Sequence, residues 1–98
     1  MDTIYKTDFG TFEWDEEKNA MNIKKHGISF QLAVEVFNDP DALFFEDPDH
    51  SSGEYRMTVF GSVGESFRVV RVSFTERRYI RIISARRAEK KEVRMLYA

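Results

Sequence analysis

Two short stretches carry the side chains best suited to chemistry, Lys24-Lys25-His26 and Ser84-Ala85-Arg86-Arg87. His26, with an ordinary imidazole pKa of about 6.5, could accept or donate a proton near neutral pH, and Lys25 could assist if its neighbours lowered its own pKa. Ser84 is a residue type that caps helices, which would set Arg86 and Arg87 beside a helix N-terminus, itself an anion site. Arginines there oppose the helix dipole, so helix stability alone would not select them, and the conflict suggests a negatively charged ligand. Guanidinium forks grip phosphate oxygens in pairs and stabilise charge that develops in a transition state, so the set suits a phosphodiester. Metal-free RNA cleavage needs only such groups, because the 2′-hydroxyl of the substrate is the nucleophile. The Lys-Lys-His ending also has an ordinary reading, since cations near a helix C-terminus are favoured by roughly 0.3–1 kcal/mol each.

Other chemistries find no support. There is no Gly-rich phosphate loop, nucleophile elbow, zinc signature or paired-carboxylate motif. The chain has no cysteine, which excludes disulfides and thiolate metal sites and fits a reducing compartment. His50 between Asp47 and Asp49 supplies one imidazole in a loop, too little for a metal site, so neither metal nor cofactor is expected.

The elements that must position these residues follow from pattern. Residues Met1–Gly10 show no clear periodicity, whether as a frayed end or a short first strand. Thr11–Trp14 alternates as a strand, and Asp15 caps a helix whose first turn holds Glu16 and Glu17. That helix is expected to end at Gly27 in the left-handed conformation. Lys18, Asn22 and Lys25 share one of its faces and Asn19, Ile23 and His26 an adjacent one, polar enough to line a site or meet solvent. Ser29 caps a second helix with a core-facing stripe of Phe30, Ala33, Val34 and Phe37, stopped at Asn38-Asp39-Pro40-Asp41. Ala42–Glu46 suits a buried strand, Asp47–Gly53 a loop, and Glu54–Gly61 and Phe67–Thr75 alternating strands of an antiparallel meander. Tyr79–Ser84 continues it, with Ile80, Ile82 and Ser84 on one side and Tyr79, Arg81 and Ile83 on the other. A terminal helix follows, with Ala85, Ala88, Glu92, Val93, Leu96 and Tyr97 inward or sideways and Arg86, Lys90, Lys91 and Arg94 more exposed.

At 98 residues the chain is expected to form one domain, 1–98. It has no run of 18 apolar residues and no export signal, so a cytoplasmic protein without membrane attachment is expected. The net charge of −2 conceals a division: residues 1–67 hold 5 basic and 14 acidic side chains, residues 68–98 hold 10 and 3. Such asymmetry suits a basic surface for a polyanion beside an acidic remainder that could meet a basic protein, although simple neutralisation within the fold explains it equally well. The fold class is α+β: an N-terminal strand and two helices packed on an antiparallel sheet of about four to five strands, then a C-terminal helix.

Phe12-Glu13-Trp14-Asp15, Lys18, Asn22, Lys25-His26-Gly27, Phe30, Ala33, Val36-Phe37 and Asp39-Pro40 follow one another in an order that resembles the BrnT toxin family. Gly53-Glu54-Tyr55-Arg56, Gly61, Thr75-Glu76-Arg77, Ile80 through Ala88, Glu92 and Tyr97 continue the resemblance, which spans about residues 12–98. It implies the toxin of a type II toxin–antitoxin system, with a RelE-like fold and ribonuclease activity that inhibits translation. It further implies a BrnA-type ribbon-helix-helix antitoxin that covers the site, and a complex that binds its own promoter DNA. Carried onto this chain, it makes Lys25, His26, Arg56, Arg81 and Arg86 the catalytic positions, with Glu54, Ser84 and Arg87 toward the RNA substrate. The chain departs from the expected pattern at Met57, where an aromatic would follow the Arg. A non-catalytic nucleic-acid-binding or protein-interaction module is the alternative.

Overall fold

The computed structural model describes residues 1–47, 55–64 and 68–97. His50, Asp49 and Glu54 lie outside the described residues, as does the turn around Glu65. The elements are β1 (Asp2–Thr7), β2 (Gly10–Asp15), α1 (Glu16–His26), α2 (Phe30–Ala33), a 3-10 helix (Val34–Asn38), β3 (Leu43–Glu46), β4 (Arg56–Val63), β5 (Arg68–Glu76), β6 (Ile80–Arg87) and α3 (Lys90–Tyr97).

The helix boundaries follow local chemistry. Asp15 accepts a hydrogen bond from the Glu17 amide at 3.2 Å, and Gly27, at φ 70°, closes α1 by donating its N–H to the Ile23 carbonyl. Ser29 Oγ accepts from the Leu32 amide at 3.1 Å. The stripe expected from Ser29 onward does face the core: Phe30, Ala33 and Val34 are buried, and Phe37 packs against the cluster. It is carried by one α-helical turn followed by a 3-10 segment.

Among the described residues, six strands form one sheet in the order β1-β2-β6-β5-β4-β3. Every pairing is antiparallel except β2 with β6, joined in parallel through Phe12 with Ile80 and Glu13 with Arg81. The patternless N-terminus is thus a strand, held by its hairpin with β2 and exposing Ile4 and Tyr5. Leu43–Glu46 lies at the opposite edge, not in the interior, and leaves Phe44 and Phe45 about half exposed.

The helices preceding β3 lie on one face of the sheet. There Phe12 and Trp14 (β2), Val59 and Val63 (β4), Val70, Val72 and Phe74 (β5), and Ile82 and Ala85 (β6) close the core with Phe30, Ala33, Val34 and Val36. Aromatic rings tie it across layers, with Phe37 centred 5.0 Å from both Phe12 and Phe74. The second face carries the polar side of the same strands, and α3 lies against part of it.

Candidate functional site

A bulge in β6 decides which side chains can meet. Ser73 pairs with Ser84 but Phe74 pairs with Ile82, leaving Ile83 unmatched. Such an extra residue reverses the alternation. Ile82 and Ala85 therefore both face the core, while Ser84 moves to the second face with Arg81 and Arg86. Strict alternation from Ile80 had set Ser84 opposite Arg81.

The helix start predicted at Ser84 is also corrected. The strand continues to Arg87, because Ala85, Arg86 and Arg87 pair with Val72, Arg71 and Val70 of β5. The helix begins at Lys90, where Glu92 Oε1 accepts from the Glu89 amide at 2.8 Å, in the manner of a capping box. Arg86 and Arg87 point to opposite faces, and Arg87, opposite Val70, stands on the helix side at the exposed sheet end.

Register orders the second face into rows. Glu13, Arg81, Thr75 and Arg56 run across β2, β6, β5 and β4. Ser84, Ser73, Thr58 and Phe45 form the next row, and Arg86, Arg71, Phe60 and Leu43 the third. Arg56, Arg81 and Arg86, drawn from separate segments, are thus on one face with Ser84 between them. Arg71 and Ser73 belong to the same face, although the sequence reading named neither among its candidates. Their signal was present, since both alternate with the apolar positions Val70, Val72 and Phe74.

The guanidiniums differ in their partners. Arg81 grips Asp2 with two nitrogens, at 3.0 and 3.1 Å, and approaches Glu13 at 3.4 Å, tying β1 and β2 to β6. Arg86 holds Glu92 through a two-pronged contact at 2.9 and 3.1 Å, and that hydrogen-bonded pairing keeps the Glu92 carboxyl down at about 2. Among the described residues, no carboxylate lies within ion-pairing distance of Arg56 or Arg71. Among the described residues, Thr58 Oγ1, buried on this face, has no hydrogen-bond partner.

Lys25 and His26 stand at the end of α1 on the helix side of the sheet, and none of Arg56, Arg81 and Arg86 lines the cleft they form. With Lys18, Met21, Ile83 and Ser84 they line a cleft of about 710 Å³. Its position depends on Asn22. Where β2 no longer flanks β6, the Asn22 amide takes its place: Oδ1 accepts from the Ala85 amide at 3.1 Å, and Nδ2 donates to the carbonyls of Ala85 at 2.8 Å and Ile28 at 2.9 Å. Asn19, also buried, accepts from the Phe30 amide at 2.8 Å. The polar faces expected to line a site or solvent therefore include two asparagines that the fold consumes. Lys25 and His26 themselves are exposed. No three His, Asp or Glu side chains among the described residues converge into a metal site.

Ser84 is the junction, lining the cleft with His26 while standing between Arg81 and Arg86. Residues 14–92 match the model of the BrnT family, described as the ribonuclease toxin of type II toxin–antitoxin systems. The chain belongs to the BrnT family. No curated protein matches it. Family membership brings an antitoxin partner and an RNA target to this BrnT chain. No helix among the described residues is long and apolar enough to cross a membrane.

Proposed function

We propose that this BrnT chain is a metal-independent endoribonuclease whose site is the junction of the α1 cleft with the second face of the sheet. What supports this reading above all is the position of Ser84, shared between the cleft of Lys25 and His26 and the face of Arg56, Arg81 and Arg86. In the proposed step the 2′-oxygen of a ribose attacks the adjacent phosphorus and the P–O5′ bond breaks. The products are a 2′,3′-cyclic phosphate and a 5′-hydroxyl end. His26 and Lys25 remove the 2′-hydroxyl proton and protonate the leaving oxygen, and the Arg56 guanidinium holds the phosphate. Arg56, without a carboxylate among the described residues, is available to substrate at once. Arg81 and Arg86 are each held by acidic neighbours and orient the charge of the face. Ser84, Arg87 and Glu54 are assigned to contacts with the RNA.

The same reading includes a RelE-like fold, cytoplasmic action, inhibition of translation through RNA cleavage, neutralisation by a BrnA-type ribbon-helix-helix antitoxin, and promoter binding by the complex. The test incubates purified protein with cellular RNA in EDTA. Cleavage by the wild type, lost in His26→Ala and Arg56→Ala, is the expected result. Intact RNA with the wild type, or equal cleavage by all three proteins, overturns the catalytic assignment. Retained RNA binding without cleavage moves the reading to a non-catalytic module.

A further inference from the structure

α3 crosses the third row of the second face and encloses a second cleft there, of about 240 Å³, lined by Phe45, Phe60, Glu92, Met95 and Leu96. It is built unlike a spare piece of core. Phe45 and Phe60 meet edge to face, with centroids 6.0 Å apart and planes at 80°. Phe45 is 42% and Met95 81% exposed and α3 contributes no buried residue, so the cleft is open to solvent at Phe45 and Met95, while Phe60 is buried. The hydroxyl of Thr58, paired in register with Phe45, lies buried and without a hydrogen-bond partner among the described residues.

Charge beside the cleft narrows its ligand. Phe60 stands directly opposite Arg71, and Arg71 opposite Arg86. Directly opposed residues of antiparallel strands are about 4.5–5.5 Å apart at Cβ. Arg71 has no carboxylate of a described residue within ion-pairing distance, although its charge acts on Glu92 from farther away, whereas Arg86 holds Glu92 directly. An aromatic-walled slot with a guanidinium one strand away that makes no close ion pair with a described carboxylate fits a flat apolar ring joined to an anion, which is the form of a nucleotide.

We propose that this cleft is a nucleobase subsite: the base of a nucleotide beside the scissile bond stacks on Phe45 beneath α3 while Arg71 holds that nucleotide's phosphate. The proposal rests on reading this sheet face as the RNA-cleaving face. Glu92 adds a preference. Its oxygens accept from two Arg86 nitrogens and the Glu89 amide, three of about four acceptor positions, leaving one for an exocyclic amino group. Adenine, guanine and cytosine carry such a group and uracil does not.

The test is a calorimetric or NMR titration of the 98-residue protein with AMP, UMP and ribose 5-phosphate. AMP should bind roughly 5- to 150-fold more tightly than ribose 5-phosphate, the range that one base–aromatic stack supplies, and more tightly than UMP. Phe45→Ala should abolish the advantage of AMP without changing ribose 5-phosphate binding, and Arg71→Gln should weaken both. Met95→Trp, at an exposed position, fills the cleft without touching the core and should also block AMP. Equal binding of AMP and ribose 5-phosphate by the wild type, or AMP binding indifferent to both cleft variants, overturns the subsite. So does a concentration-dependent dimer that Met95→Trp dissolves in the absence of nucleotide binding. If His26→Ala loses RNA cleavage while the base advantage is missing, the subsite falls and the cleavage site stands. Base-dependent binding by a wild-type protein that leaves RNA intact supports the subsite and removes the catalytic reading.

Discussion

Replacing Asn22 by alanine should damage this protein more than any change of similar size on the surface of α1. The amide makes three hydrogen bonds to backbone groups, those of the Ala85 N–H, the Ala85 carbonyl and the Ile28 carbonyl. Leaving a buried polar group unsatisfied costs about 1–3 kcal/mol. With some water entering the space left, the sum should be about 3–5 kcal/mol, a large part of the 5–15 kcal/mol typical of a domain. For a chain of this size that lowers Tm by roughly 15–30 °C, and urea unfolding should show the same loss. Because Asn22 fastens the end of α1 to the free side of β6, the cleft formed by His26 and Ser84 should open at the same time. Asn22→Asp sharpens the test. Nδ2 donates to two carbonyls, so an ionised carboxylate would face acceptors, and its folded pKa should rise above the usual value of about 3.9. The folded state then binds more protons than the unfolded one, so stability falls as pH rises past that value. A loss below about 1 kcal/mol for Asn22→Ala would refute the view that this side chain substitutes for a missing strand.

The Arg86–Glu92 pair should contribute on the order of 1 kcal/mol after solvent screening. The Glu92 carboxyl, lowered from 4.5 to about 2, binds its proton more readily in the unfolded chain, so this contribution is complete above pH 4.5 and lost as pH falls through 2. Urea unfolding between those limits should show a steeper pH dependence for the wild type than for Glu92→Gln. Gly61→Ala should cost about 1–3 kcal/mol, because the added Cβ would lie 2.8 Å from Val36 Cγ1 and 3.1 Å from the Val36 carbonyl oxygen, where β4 meets the 3-10 helix. Thermal unfolding would reveal it, and an unchanged Tm would show that the 3-10 helix yields freely. Gly27→Ala should cost about 1 kcal/mol through backbone conformation alone, since φ is 70° and nothing lies within 4 Å of the added carbon, a loss readable by the same melts.

What was legible in the residues was local. Asp15, Gly27 and Ser29 mark helix ends through hydrogen bonds within four residues of themselves, and Phe30, Ala33 and Val34 announce a buried face by spacing alone. The alternation of β5 exposed Arg71 and Ser73 to the second face, and the order of motifs from Phe12 onward carried the family. Tertiary structure decided the rest, because the deciding contacts join distant segments. β1 is a strand only through its pairing with β2, and β2 meets β6 in parallel across more than sixty residues of chain. Asn22 is consumed by Ala85, 63 positions away, and Arg81 by Asp2, 79 away. The bulge at Ile83, invisible in a run of Ile, Ser and Ala, turns Ser84 onto the face of the arginines. Local sequence determines which backbone a segment prefers; which face a side chain finally presents, and which charge it meets there, depends on register and pairing that only the closed sheet imposes.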